Sequence, residues 1–384
     1  MNVNATVTIL RTTEALEAFA TEWTALWHTD PNRTPFQHPA WLLPWWHHFG
    51  QPGLRAIVIS NAGKPIAFLP FYLYPEPNGG PRKLLLLGAG TSDYLDGIFA
   101  PDCTLAHVEA GLQALLQTRD FDTLDAVQLR PGSLLTKALR NLGATETPAE
   151  PTSILPAVPL ADLPAKIRRN AMYYRNRAGR DAILELTFAT AANCREHFEI
   201  LVQLHSTRWQ ERGEAGVLDD AGVLDWHREA LPLLAAAGLL RLATLTRNGD
   251  PLGLMYALAD DPGKADDPGR ADDPGRADDP AKADDPVKPA RTLYLYLPAF
   301  SLQHRDLRPG TVLLALLIAA AARDGFTTVD MLRGGESYKQ LWHVEQRPTL
   351  SLSLPGSGFS RRARTRIAKR EAALAAEVEP KPQT

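Results

Sequence analysis

Cysteine is almost absent. Two residues, Cys103 and Cys194, lie far apart and without metal-type spacing. That excludes a disulfide framework or a thiolate zinc site and favours a reducing compartment. Long apolar runs are missing too. The most continuous one, Val312–Ala322, is shorter than the roughly 20 residues a membrane span needs. The N-terminus has no basic stretch leading into an apolar core, so no secretory signal is expected and the location expected is cytoplasmic. Also missing are a Gly-x-Ser-x-Gly elbow, a phosphate-binding Walker loop and a Gly-x-Gly-x-x-Gly fingerprint. Common hydrolases, NTPases and dehydrogenases are therefore disfavoured. Strong net charge is absent as well. The formal charge is −3. Residues 259–288, five Ala-Asp-Asp-Pro hexapeptides with ten Asp and five Lys or Arg, contribute −5 of it, leaving +2 elsewhere. Bulk charge gives no reason to expect a nucleic-acid partner.

What is present is periodic and compact. The stretch around which the rest is arranged runs from His304-Arg-Asp-Leu-Arg-Pro-Gly310 through an apolar helix to Thr327–Leu332 and Arg333-Gly-Gly-Glu-Ser-Tyr-Lys339. A helix apolar on every side belongs in a core. Its start, with Arg305, Arg308, Gly310 and Thr311, offers free N–H groups and positive charge. It is either an anion site or a plain loop-to-helix junction. The segment Thr327–Leu332 predicts a buried strand. The turn after it carries Arg333, Glu336, Tyr338 and Lys339.

The two halves of the chain repeat a pattern. Leu54–Ala67 and Leu240–Gly253 are both hairpins around a short Asn/Gly turn. The run helix, Arg323-Asp324, strand, Arg333-Gly matches helix, Arg119-Asp120, strand, Arg130-Pro-Gly, and Lys339 has a rough counterpart in Lys137. Such similarity implies a duplicated α/β unit. The expected organisation is a first domain over 1–150, a second over 151–355, and a basic helix and tail over 356–384. A Pro-rich connection at Pro148–Pro159 joins the halves. The repeats, an insertion over 259–290, have the composition of a disordered hairpin-tip segment.

Several clusters admit two readings. Trp41, Trp45 and His48 recur at helical spacing, as a sugar-stacking face or a core helix. Asp93, Tyr94 and Asp96 follow a strand and either line a cleft or form a turn. The basic helix Lys166–Arg180 either grips phosphates or is a solvated face, and the basic run Arg361–Arg370 either touches anionic lipid or a partner or is a solvated C-terminal helix. His205, Arg208 and Trp209 can share one helix face.

The stretch Asp330-Met-Leu-Arg-Gly-Gly-Glu-Ser-Tyr-Lys-Gln-Leu-Trp342, together with Leu204-His-Ser-Thr-Arg-Trp-Gln-Glu-Arg-Gly213, resembles bacterial tandem GNAT-fold acyltransferases. The CelD/BcsL-like (BioF2-like) group of cellulose and exopolysaccharide synthesis is the nearer match. FemAB-like aminoacyltransferases are a more distant one. The resemblance covers most of residues 1–355. It implies an α/β (α+β) fold of two tandem GNAT-like units, each a mixed sheet flanked by helices. It also implies acyl transfer from acetyl-CoA or another acyl-CoA, without a metal, to an amine or hydroxyl of a small-molecule or glycan-precursor acceptor. Pantetheine would lie along Leu293–Leu297 and pyrophosphate at Arg305–Thr311, although this loop departs from the usual Gln/Arg-x-x-Gly-x-Gly/Ala. Catalytic candidates are then Lys339, Glu336, Tyr338, Asp330 and His205. The donor would meet Arg305, Arg308, Gly310 and Thr311. The acceptor would meet Arg208, Trp209, Arg333, Asp93, Tyr94 and Asp96. Lys339, after the Gly334-Gly335 pair, is expected to reach into a cleft. Peripheral association with a membrane polysaccharide synthase fits the nearer group. Two other readings stay open: an aminoacyl-tRNA-dependent peptide ligase, and a non-catalytic scaffold of an exopolysaccharide assembly.

Overall fold

The computed structural model describes residues 5–50, 53–74, 80–261 and 291–356. The repeat segment beyond Asp261 and the basic run Arg361–Arg370 lie outside these. The described residues form two compact units, the first made of those up to Glu150 and from Pro348 on, the second of those within Pro151–Arg347.

The first unit begins with β1 (Ala5–Leu10), α1 (Thr13–Ala18), α2 (Ala20–Thr29) and α3 (Pro39–Phe49). It continues with β2 (Ala56–Asn61), β3 (Lys64–Leu69), β4 (Phe71–Tyr74), β5 (Lys83–Leu86), β6 (Ile98–Phe99), α4 (Leu105–Gln117), β7 (Thr123–Leu129), α5 (Leu134–Asn141) and the start of β8 (Thr145–Pro156). β1, β2, β3 and β6 form an antiparallel sheet. β5 pairs antiparallel with β4 and parallel with β7, and α4 precedes β7 in the chain. The β2–β3 turn places both Ala62 and Gly63 at positive φ, the type I′ geometry whose twist suits a tight hairpin. Trp41 and Trp45 are buried, so α3 is a core helix and not a sugar platform. The indole N–H of Trp41 donates to Ser92 Oγ at 2.8 Å, which satisfies its one buried polar group.

The second unit contains α6 (Ala165–Ala178), β9 (Leu184–Phe188), α7 (Cys194–Glu211), α8 (Ala221–Ala236), β10 (Leu240–Arg247), β11 (Asp250–Ala259) and β12 (Thr292–Phe300). Then come α9 (Pro309–Arg323), β13 (Thr328–Arg333), α10 (Ser337–Gln340) and the start of β14 (Glu345–Pro355). The order across its sheet is β8, β13, β12, β11, β10, β9, with only the β12–β13 pair parallel. The β10–β11 turn repeats the first unit's device, with Asn248 and Gly249 at positive φ. On one face α6 and α9 bury Ile167, Ala171, Val312, Leu313 and Ile318 against Ala243, Leu245, Met255 and Ala257. The other face carries Phe198 of α7 and Trp226 and His227 of α8 against Tyr256.

Two expectations change here. The Pro-rich connection is a strand: Thr152–Leu155 of β8 is buried, and β8 pairs antiparallel with β13 at Thr152 and from Ile154 to Pro156. Residues 350–355, grouped by sequence with the second half, pair with β7 and belong to the first unit. In addition, Ala259 ends β11 and the Asp260 carboxylate accepts the Thr292 N–H at 2.9 Å. The first residues of the repeats are therefore part of the hairpin.

Candidate functional site

The chemistry collects in the second unit, where β12 and β13 part company. They pair only over Thr292–Tyr294 and Thr328–Asp330, yet β12 runs on to Phe300 and β13 to Arg333. Backbone N–H and C=O groups of β12 beyond Tyr294 that face away from β11 thus have no strand beside them. Leu295 pairs with Ala257 and Leu297 with Tyr256, which leaves Tyr296 as the extra residue of a bulge. A bulge bends a strand and re-aims its groups, and is enriched beside active sites. No pattern in the sequence marked it.

The start of α9 follows closely. Arg308 is left-handed, with φ 48° and ψ 52°, and caps the helix after a single turn at Arg305–Leu307. A left-handed arginine is strained, because its Cβ crowds the carbonyl. Arg305 and Arg308 are both exposed, and the Arg308 guanidinium lies 5.9 Å from the centre of the Tyr174 ring on α6. Arg177 of α6 pairs with Asp306 at 2.8 Å. Pro309 at the first helical position has no N–H to leave unpaired, and Thr311 N–H bonds back to the Arg308 carbonyl. Gly310 has a packing reason of its own: a Cβ there would stand 3.0 Å from the Phe300 ring.

On the other side of the sheet α7 presents His205, Arg208 and Trp209 together, as their spacing predicts. His205 is 4 % exposed. Trp209 Nε1–H donates to its Nε2 at 2.9 Å, so the neutral ring must carry its proton on Nδ1. That Nδ1–H is buried without a hydrogen-bond partner among the described residues. Burial, then the Arg208 charge, hold the imidazole below its ordinary range, and Asp219 opposes them. Arg208 is half-buried, its guanidinium lowered by burial and then by Arg212, and it lies within electrostatic reach of Tyr338. Desolvation and then Glu336 push the Tyr338 phenol up to about 12.

Lys339 does not reach into a cleft. It is 2 % exposed. Its ammonium donates to the carbonyls of Leu332, Arg333 and Gly334 at 3.3, 2.6 and 3.3 Å, and pairs with Glu336 at 2.9 Å. Three N–H donors thus meet four acceptors. The reason is the shape of the strand end. Leu332 sits at φ 59° and Gly334 at φ 122°, which turns successive carbonyls inward, and a buried cation collects them. Asp330, also buried, accepts the Leu332 N–H at 2.7 Å and fixes a second bulge, on β13 between Asp330 and Arg333. Arg333 is partly buried at the end of β13.

The first unit has the same bulge, at Gln128, with φ 59°. Counting on from each, Ser133 answers to Ser337, and Leu135 to Lys339. The counterpart suggested by sequence, Lys137, is exposed on α5 and is not equivalent. Asp93, Tyr94 and Asp96 are buried within the first unit. Asp96 accepts from Ser133 Oγ and its own neighbour Gly97 N–H, and lies 3.7 Å from Arg130. Burial raises its carboxyl to about 6 against the lowering by Arg130. This is a self-contained turn and not an open cleft.

Among the described residues no group of side chains has metal-binding geometry, and no helix is long and apolar enough to cross a membrane.

A family profile described as an acetyltransferase (GNAT) domain matches residues 165–262 and 287–340. The fold is of the GNAT type. The matched residues contain the parted strands, α9 and the turn to Lys339. No curated protein matches the chain in sequence. Among solved structures, FemX is similar at 10 % identity, over 87 % of this chain and 95 % of that one, with a TM-score of 0.55. L-PGS from Bacillus licheniformis is similar at 14 % identity, over 94 % and 96 %, with a TM-score of 0.54. A conserved protein of unknown function from Bacteroides thetaiotaomicron gives 11 %, 91 % and 99 %, and 0.57. At such identities the likeness is one of fold. It spans both units, consistent with a tandem organisation.

Proposed function

We propose that this chain is an acyltransferase that moves an acyl group, acetyl in the simplest case, from acyl-CoA to an amine or hydroxyl of a sugar or polysaccharide precursor, in the cytoplasm and in the service of cellulose or exopolysaccharide synthesis. One observation carries the donor side: the gap between β12 and β13 beside an α9 start flanked by Arg305 and Arg308. A pantetheine arm can hydrogen-bond like an added strand along Leu295–Phe300, and a pyrophosphate suits a helix start with two arginines. The acceptor nitrogen or oxygen attacks the thioester carbon, the C–S bond breaks, thiolate leaves, and the acceptor's proton passes to a base. Glu336, about half exposed, is the group for that proton; His205, with its proton on Nδ1 and Nε2 accepting from Trp209, has no free lone pair to take it. Tyr338, protonated at neutral pH, would donate to an oxyanion or to the leaving sulfur. In this reading Lys339 and Asp330 position the loop that carries them.

Calorimetric titration with acetyl-CoA tests the donor. Wild type should bind, Arg308→Ala should bind about tenfold or more weakly, on the scale of a charged hydrogen bond, and the exposed Arg323→Ala should bind as wild type. Absence of binding to acetyl-CoA and to longer acyl-CoAs defeats the reading.

A second reading, an aminoacyl-tRNA donor, draws on α6. It carries Lys166, Arg168, Arg169, Arg175 and Arg177 and no acidic residue, and it packs beside α9. Aminoacyl transfer from charged tRNA, with acetyl-CoA inert, would establish it.

A further inference from the structure

Buried polar groups in folded proteins are almost always partnered, and arginine is rarely withdrawn from water without a carboxylate. The acceptor side of the site breaks both rules within one turn of α7. His205 Nδ1–H is sealed from solvent with no acceptor among the described residues. Half-buried Arg208, one turn on, has no hydrogen bond or ion pair there either. The nearby acids are committed elsewhere. Asp219 accepts Ser206 Oγ–H at 3.0 Å and Gly216 N–H at 2.7 Å, and Glu336 holds Lys339 at 2.9 Å. Arg212 adds a second cation, lying 5.4 Å over the Trp209 ring. Gly216 presses on the imidazole so closely that a Cβ would come within 2.4 Å of its Cε1, which fixes the ring. The result is one sealed N–H beside a half-buried and an exposed guanidinium on one helix, with no protein acceptor among the described residues.

We infer that His205 Nδ1–H, Arg208 and Arg212 form a binding site for an anionic group, carboxylate or phosphate, borne by the acceptor. The inference rests on the acyltransferase reading only in calling the ligand the acceptor; the anion site itself is independent of the donor. A guanidinium fork and one fixed N–H match two or three oxygens of such a group, and the bond is charge-assisted. Anchoring a charged end there would leave the acceptor's amine or hydroxyl free near Tyr338, whose phenol already feels Arg208. A neutral sugar hydroxyl could accept only an uncharged share of these bonds, whereas an anion makes each of them charge-assisted.

The test uses the full chain without any acyl donor, so its outcome stands apart from acetyl-CoA binding. The probes are inorganic phosphate and acetate, which separate the two anion classes. The readout is the side-chain nitrogen resonance of His205, assigned by its loss in His205→Asn. Phosphate or acetate should move that resonance saturably. Arg208→Gln should weaken the effect about tenfold or more. Arg308→Gln, which removes the donor loop's own cation, should leave it intact. If Arg208→Gln does not fold, Arg212→Gln should give a smaller weakening in the same direction. A His205 resonance indifferent to both anions, or a response that survives Arg208→Gln and vanishes with Arg308→Gln, overturns the inference.

Discussion

Lys339→Met removes one charge and keeps the stem, and its effect separates two roles that the sequence could not. A reactive lysine in a cleft would lose rate and keep its melting curve. The structure gives the ammonium to the carbonyls of Leu332, Arg333 and Gly334 and to Glu336, at 2 % exposure. Methionine leaves the inward-turned carbonyls without a donor. Glu336, being about half exposed, rehydrates and adds little to the penalty. Removing one partner of a fully buried pair costs about 3–5 kcal/mol. Discounting for the exposed carboxylate and for the desolvation that lysine no longer suffers, about 2–3 kcal/mol is expected. In a unit of roughly 200 residues each kcal/mol moves the midpoint by about 2–4 °C, so Tm should fall by roughly 5–10 °C. Differential scanning calorimetry measures it, with Lys339→Arg as a partial rescue. Activity should fall as well, because the turn carrying Glu336 and Tyr338 loosens. A Lys339→Met protein that melts within about 2 °C of wild type, yet is catalytically dead, would refute this and return Lys339 to the reaction.

Three other perturbations follow from single contacts. Gly310→Ala gains helix propensity of about 1 kcal/mol but drives a Cβ to 3.0 Å from Phe300, so chemical denaturation should show a net loss of about 1 kcal/mol, reversed in a Phe300→Leu background. Asp96 is raised to about 6, so the folded state binds its proton more tightly than the unfolded chain and stability falls as pH rises from about 4 to about 6; Asp96→Asn, measured against wild type, should gain about 1–3 kcal/mol between pH 4 and pH 7, and a constant difference would contradict the burial. Replacing residues 262–290 by a short Gly/Ser turn should shift Tm by no more than about 3 °C, because the hairpin already closes at Ala259–Leu293 with Asp260 on Thr292 N–H.

Much of the fold was legible because it rests on local patterns. The Asn/Gly turns at Ala62–Gly63 and Asn248–Gly249, the all-apolar α9 and the buried strand before Arg333 each follow from spacing and turn chemistry. The likeness of the two halves was readable for the same reason. Three features were not. β8 hid behind its prolines, which a composition-based reading takes as a linker. The bulge at Tyr296 leaves no residue signature, since it is a property of pairing between strands. Lys339 looked exposed because lysine almost always is; only the left-handed turn at Leu332, a tertiary matter, creates the nest of carbonyls that buries it. Within the candidate site, the face shared by His205, Arg208 and Trp209 came from helical spacing, while the stranded Nδ1–H required knowing where the Trp209 indole points.

The paired bulges bear on which unit would carry the proposed chemistry. Both units end their crossover strand in a left-handed residue, Gln128 or Leu332, so the backbone device is shared. What differs is what fills it. In the first unit the position answering to Lys339 is Leu135, fully buried, and the position answering to Asp330 is Ala126, also fully buried. The segment after β5 is drawn into its own core, with Ser92, Asp93, Tyr94 and Asp96 all buried. In the second unit the same positions hold an acid and a base that fix a polar turn, and the segment after β12 instead leads out to the exposed Arg305 and Arg308. The parallel strands part in both units, β5 and β7 pairing only at Lys83–Thr123 and Leu84–Leu124, so the parted edge alone does not separate them. What separates them is a loop held by charges where a core would be cheaper, and the second unit has it. On that reasoning the proposed chemistry belongs to the second unit, the one that holds the residues 165–262 and 287–340 matched by the acetyltransferase profile.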